Sequence, residues 1–448
     1  MTAAIQARTI RALSVAFVVA VNVSCTAVGP DYVRPRVAVP LAYKEAAPGG
    51  KLAQPRDASA QGRWWEIYAD HQLDALVGQL NAANPSIHAA EARVRQARSL
   101  AEAARAAQSA TLSAGGTNDL GLLASWEIDL WGRIRRSVES SGAAAEASAA
   151  DLAAAKLSLQ AQLVQNYFLL RVQDAEIRLV QDTVAAYERS LQLTRNQYAV
   201  GVAARAEVVL AQAQLGTAQA QMLDARVVRA QLEHAIAVLI GKAPADFSVT
   251  VAPIEVNVPA APPALPSDLL ERRPDIAAAE RRMAATSAQI GEAEAASYPS
   301  ISLFVGGSIR HSVGGARVAM PVFDAGATRA QSAKAGAVYE EAFAEYRQTV
   351  LNGFREVEDN LAALRLLEEA AAAQDEVVRA ARDSMIITNN QYQAGIVSYL
   401  SLAVVQASAL ASERAALDNL RRRLVASVTL IKALGGGWVA EAPKAAKD

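Results

Sequence analysis

The apolar positions of this chain keep two distinct periods. Leu163, Leu170, Ile177, Val184, Leu191 and Tyr198 recur every seventh residue, and Val357, Leu364, Ala371, Val378, Met385 and Tyr392 repeat that row later in the chain. A seven-residue apolar period held over so many turns predicts helices wound into a left-handed supercoiled seam. No proline falls between Gly132 and Tyr198, and only Gly142 interrupts. The first helix is therefore expected to run on the order of 100 Å at about 1.5 Å per residue. A returning helix carries its own row, Leu410, Leu417, Leu424 and Ile431. Gly201 and Gly395 stand where each pattern reverses, and a residue free to adopt positive φ ends a helix there at little cost. Two coiled-coil hairpins are expected, and a plain structural coiled coil accounts for these rows by itself.

Ahead of each long helix the period falls to two. In "LLASWEIDLWG", Leu122, Ala124, Trp126, Ile128 and Leu130 alternate with Leu123, Ser125, Glu127 and Asp129. In "PSISLFVGGSI", Ile301, Leu303, Val305 and Ile309 alternate with Ser300, Ser302, Gly306 and Ser308. This is the pattern of a strand with one apolar face. "ATLSAGG" precedes the first of these segments, and "ARVAMPVF" follows the second after a "HSVGG" turn, so each half supplies a strand pair. A half-buried soluble sheet and a membrane β-barrel share this signature. Four strands cannot close a membrane barrel, whose smallest examples have eight, and an open edge in lipid would strand backbone polar groups. If the strands span a membrane, the chain must oligomerise.

The two halves repeat one another. "TRNQYAVGVAARAEVVLAQ" at 194 and "TNNQYQAGIVSYLSLAVVQ" at 388 share Thr, Asn, Gln, Tyr, Gly and a closing Gln at one constant offset, and "NPSIHAAEARVR" at 84 is matched by "RPDIAAAERRMA" at 273. Between them, residues 251–266 hold five prolines and cannot form a helix interior. The expected organisation is a signal peptide (1–24), an extended segment (25–61), a first repeat (62–250), the Pro-rich linker (251–266), a second repeat (267–437) and a tail (438–448).

Composition narrows the function. The formal charge is only −1, which implies no nucleic-acid partner, and after the first two dozen residues no apolar run is long enough for a spanning helix. Arg8 and Arg11 precede the short apolar stretch "ALSVAFVVAVNV", the form of a secretory signal. The single cysteine, Cys25, follows Ser24 directly; it cannot form an internal disulfide and reads either as a buried thiol or as a lipid-acylated new N-terminus. His71, His88, His234 and His311 lie in four separate segments without ligand spacing, so no metal site is expected. No G-x-S-x-G, H-E-x-x-H or phosphate-binding glycine loop occurs, and neither an enzyme nor a cofactor is expected.

"CTAVGPDYVRP", "SWEIDLWGRIRR", "ERRPDIAAAE", "YPSISL", "PVFDAG", the paired "NQYxxG" tips and the closing "ALGGGW" together resemble the outer-membrane efflux proteins of the TolC and OprM type, across nearly the whole mature chain. The resemblance implies a mainly α fold with a small β portion. Long coiled-coil hairpins form an α-barrel in the periplasm, and four strands per chain join a twelve-stranded barrel in a homotrimer. It implies a passive exit duct in the bacterial outer membrane, lipid-anchored at Cys25, which docks to a periplasmic adaptor (membrane fusion protein) and an inner-membrane transporter. The tips Gly201, Val202, Gly395 and Ile396 are then the adaptor contacts. Leu400, Tyr392, Glu207 and Val404 form the periplasmic gate, with Val404 standing where relatives often place an aspartate. Glu207 reads equally as a solvated helix face, and Tyr198 and Tyr392 as seam residues. A duct for secreted proteins and a pore-free coiled-coil adaptor are the other readings, although an adaptor would show a single hairpin.

Overall fold

The computed structural model describes residues 27–45, 63–115, 121–254, 258–259, 269–308 and 312–437. In chain order the regular elements are α1 (His71–Ala83), α2 (Pro85–Ala106), β1 (Thr111–Gly115), β2 (Gly121–Ile128), α3 (Arg133–Ala199), α4 (Arg205–Leu239), α5 (Leu269–Arg272), α6 (Pro274–Ala295), β3 (Ser300–Ser308), β4 (Ser312–Ala319), α7 (Ala327–Gln393) and α8 (Tyr399–Ala433). Corresponding helices of the two halves have equal lengths: 22 residues in α2 and α6, 67 in α3 and α7, 35 in α4 and α8. Two compact units result. One takes the described residues within Met1–Ala38, Ala89–Leu152 and Pro274–Leu351, the other those within Val39–His88, Ala153–Arg273 and Asn352–Asp448. Each draws on both halves of the sequence, because α3 and α7 each contribute to both units.

The first unit holds a four-stranded antiparallel sheet in the order β1-β2-β3-β4. Its register pairs Leu122 with Gly307, Ala124 with Val305, Trp126 with Leu303, and Leu303 in turn with Ala316. Directly paired residues share a face. Leu112, Leu122, Trp126, Leu303, Val305 and Val318 therefore lie on one side and Ser113, Ser125, Glu127, Ser302 and Arg317 on the other, with Leu123 and Phe304 apolar exceptions on the polar side. The strand pairs of the two halves thus merge into one sheet.

Three strand expectations are corrected. "HSVGG" is no turn in its described part, since Ser312 to Gly315 open β4; the strand continues there because the Phe304 ring lies across Gly315, where an added Cβ would meet it at 3.2 Å. The expected extension "MPVF" lies outside β4, which ends before Pro321. Likewise β2 stops at Ile128 rather than running into "DLWG". Asp129 instead accepts from the backbone N–H groups of Ile134 (3.0 Å) and Arg135 (2.9 Å), neutralising the open N-terminal turn of α3.

The "VGPDYVRP" stretch is a strap within this unit. The buried Arg136 guanidinium donates to the carbonyls of Val28 (3.3 Å) and Gly29 (3.1 Å) and to Asp31 (2.9 Å) and Glu139 (2.8 Å). Gly29 has φ 90°, and a Cβ there would come within 2.4 Å of Gly291 Cα on α6, so only glycine fits. Farther along, the Tyr32 hydroxyl donates to Glu280, which also accepts from Arg281 Nη2 at 2.7 Å. Burial works against the Glu280 carboxylate, but the hydrogen bonds from Arg281 and Tyr32 outweigh it and hold its pKa below the usual value.

In the second unit part of each seam row becomes core, while Ile177, Leu364, Ala371, Met385, Leu410, Leu417 and Ile431 are only half-buried. Leu163, Leu170, Val184, Leu191, Val357, Val378 and Leu424 are buried, whereas Tyr198 is 47% exposed and leaves the expected row. α4 packs through a row of small residues, Ala211, Ala218 and Ala225, all buried and seven apart, which permits close helix approach. The ends of α4 and α8 repeat a second device: Gly241 (φ 73°) sits against Ala83 O and Gly435 (φ 91°) against Arg272 O, each just before the proline that opens α2 or α6. Asp174, with a side chain 1% exposed, bridges Arg171 (3.3 Å) and Arg229 (2.6 Å), which donate to Thr250 O and Val249 O and fasten the chain just ahead of the linker.

Candidate functional site

Both hairpin tips belong to the second unit and are built alike. α3 closes with Val202 N donating to Gln197 O (2.8 Å) around Gly201 (φ 80°), and α7 closes with Ile396 N donating to Gln391 O (2.9 Å) around Gly395 (φ 72°). These are Schellman turns, in which the positive-φ glycine lets the following residue reach back across the last turn. The consequence is that Val202 and Ile396 project to solvent, each 72% exposed. Burying neither residue of a repeated apolar pair leaves two short sticky points.

Behind the tips one apolar cluster joins the hairpins. Leu191 of α3, Ala211 of α4, Tyr392 of α7, and Tyr399, Leu402 and Ala403 of α8 are buried together. The Tyr392 and Tyr399 rings meet edge to face at 5.7 Å. Three side-chain hydrogen bonds cross the same junction: Tyr392 to Thr194 at 2.6 Å, Tyr399 to Gln214 at 2.8 Å, and Gln406 to Ser190 at 3.2 Å. Thr194 also donates to Ser190 O at 2.8 Å, so its one proton is committed and the Tyr392 hydroxyl must be the donor to it.

Of the gate residues read from the sequence, Tyr392 is 2% exposed and lies in this junction, while Glu207 is half-buried on the first turn of α4. No hydrogen bond joins the two among the described residues; Tyr392 is bonded to Thr194 instead. Burial raises the Tyr392 pKa above its usual value, and the nearby Glu207 charge adds to the rise. Leu400 and Val404, four residues apart on α8, share one exposed helix face, 58% and 61% exposed. Cys25 lies outside the described residues. Sequence reading missed Thr194, Ser190 and Gln406 as partners, although Thr194 and Gln406 stand at repeated tip positions.

Among the described residues no helix is long and apolar enough to cross a membrane. The profile of the family described as outer membrane efflux protein matches residues 76–242 and 265–436. The toluene efflux pump outer membrane protein TtgC of Pseudomonas putida is 28% identical, over 91% of this chain and 92% of its own. The cation efflux system protein CusC of Escherichia coli is 26% identical over 94% of this chain and 98% of its own. Among solved structures, the outer-membrane channel OprN is similar at 30% identity with a TM-score of 0.83, covering 92% of this chain and 99% of that one.

Proposed function

Because this chain belongs to the outer membrane efflux protein family, we propose that it works as a homotrimer whose three sheets close into a single membrane barrel. It is the outer-membrane channel of a tripartite efflux pump and performs no chemistry of its own. The observation that carries the trimer is the sheet: β1 and β4 have no partner on their outer edges among the described residues, and the apolar face bearing Leu112, Leu122 and Val305 is exposed. In lipid an open edge leaves backbone groups unpaired, and closure removes it. Three copies of four strands give a twelve-stranded barrel, within the size range of such walls.

On this reading the tips at Gly201, Val202, Gly395 and Ile396 are the adaptor contacts, supported by the exposed valine and isoleucine. Leu400 and Val404 form the narrowest ring, supported by their shared exposed face, with Tyr392 and Glu207 behind it. Cys25 carries lipid and anchors the mature chain, the helices reach into the periplasm, and the two repeats derive from one duplicated unit, supported by the equal helix lengths. The similar chains are described as toluene and cation efflux proteins, and small toxic solutes are the cargo class we assign here.

Native mass spectrometry in detergent, followed by conductance in planar bilayers, tests the proposal. A threefold mass and a discrete conductance are expected. A stable monomer that still conducts ions would overturn the closure argument.

A further inference from the structure

The polar junction between the hairpins is written twice in the sequence but made once in the chain. Tyr392, Thr194, Ser190 and Gln406 form it, all buried. Shifted by the 194 residues that relate the tips, the same four residue types recur as Tyr198, Thr388, Ser384 and Gln212. This second quartet lies open. Tyr198, Ser384 and Gln212 are exposed and Thr388 is half-buried, and none of the four side chains has a hydrogen-bond partner among the described residues.

The apolar surroundings follow the same rule. Leu193 packs against the tip cluster and Ala403 is buried within it, whereas their counterparts Ile387 and Val209 are 57% and 54% exposed. A tyrosine, a threonine, a serine and a glutamine kept at matching positions, beside two apolar residues left in solvent, are the two faces of an unmade contact. They do not bond to each other within the chain. In the made quartet Ser190 and Thr194 of α3 meet Tyr392 of α7 and Gln406 of α8, and in the open quartet the roles of the hairpins are exchanged, with Ser384 and Thr388 on α7, Tyr198 on α3 and Gln212 on α4.

We propose that the open quartet is completed by a second copy of this chain: Tyr198 and Gln212 of one copy meet Thr388 and Ser384 of the next, reproducing between chains the junction already made within one. The contact is heterologous, face to a different face, and such contacts close into a ring when the rotation permits. Six hairpins from three copies, alternating internal and intermolecular junctions of one design, form that ring. The inference rests on the homotrimer proposed above and adds which residues join the copies and in what pairing. It also explains the duplication physically, since one contact design repeated around an axis needs both of its faces on every hairpin.

The test uses the full-length protein with paired cysteines and a short bismaleimide crosslinker. Gln212→Cys with Ser384→Cys is expected to give covalent dimers and trimers on a denaturing gel, whereas either single variant gives neither. The internal pair, Gln406→Cys with Ser190→Cys, is expected to link only within one chain. If native mass spectrometry reports a trimer but the 212/384 pair links only within chains, the inference is overturned and the trimer stands. A monomeric wild type overturns both. As an independent readout, Thr388→Val should lower the trimer's dissociation temperature in wild type but add nothing further to Tyr198→Phe; equal effects in both backgrounds would show that the two residues do not meet.

Discussion

Replacing Thr194 by valine should loosen the hairpin junction more than removing the hydroxyl of its partner Tyr392. The asymmetry follows from the direction of the bond. Thr194 gives its proton to Ser190 O, so Tyr392→Phe takes away only an incoming bond and leaves the threonine with a partner. That loss is worth about 0.5 to 1.5 kcal/mol. Thr194→Val is nearly isosteric and opens no cavity, but it leaves a tyrosine O–H, in a residue 2% exposed, without an acceptor. An orphaned buried donor costs about 1 to 3 kcal/mol. Tyr392→Ala should exceed both, at about 3 to 5 kcal/mol, because it deletes a buried ring. At about 1.4 kcal/mol per factor of ten, Thr194→Val shifts the balance between closed and open tips by roughly five- to 150-fold per chain if the junction holds the duct shut. Open-channel occupancy in planar bilayers is the assay, with circular dichroism to confirm folding. The expected order of opening is Tyr392→Ala, Thr194→Val, Tyr392→Phe, then Glu207→Gln, which breaks no observed hydrogen bond with Tyr392. A larger effect of Tyr392→Phe than of Thr194→Val would refute the donor assignment, and dominance of Glu207→Gln would place the restraint at the carboxylate.

Val404→Asp should create block by trivalent cations that the wild type lacks, because three carboxylates on an axis repel by roughly 1 kcal/mol per pair at about 4 to 5 Å in water-like surroundings and attract multivalent cations; strong block of the wild type in single-channel recordings would locate an acidic ring elsewhere. Gly435→Ala should destabilise the fold by about 1 to 3 kcal/mol, since it puts a side chain at positive φ and against a backbone oxygen, and thermal unfolding followed by circular dichroism reads this directly. Glu280 has a depressed pKa in the folded chain, so its contribution is present above its unfolded value of about 4.3 and is lost as pH falls through the folded value. Hydrogen exchange along residues 27–36 should therefore quicken in acid beyond the intrinsic rate, and Glu280→Gln should remove that difference. Labelling with a radioactive fatty acid should mark the wild type and spare Cys25→Ser, and equal labelling would rule out acylation at that position.

What the chain alone determines is everything that depends on period and on local backbone chemistry. Seven-residue rows can only be long supercoiled helices, and the glycines at 201 and 395 can only end them, because the required positive φ is costly for other residues. The alternating segments named their apolar face correctly, since a strand's side-chain direction is fixed by position parity. Tertiary structure decided what lies across from each face. Gly314 and Gly315 look like turn residues, yet stand in β4 because the Phe304 ring covers the second of them, a contact no local signal announces. Tyr198 and Tyr392 hold equivalent places in equivalent rows; one is exposed and the other buried because only Tyr392 has the opposite hairpin beside it within the same chain. Its hydroxyl likewise chose Thr194 over the more polar Glu207, because hydrogen bonding is settled by distance and direction between helices, and neither can be read from spacing along one.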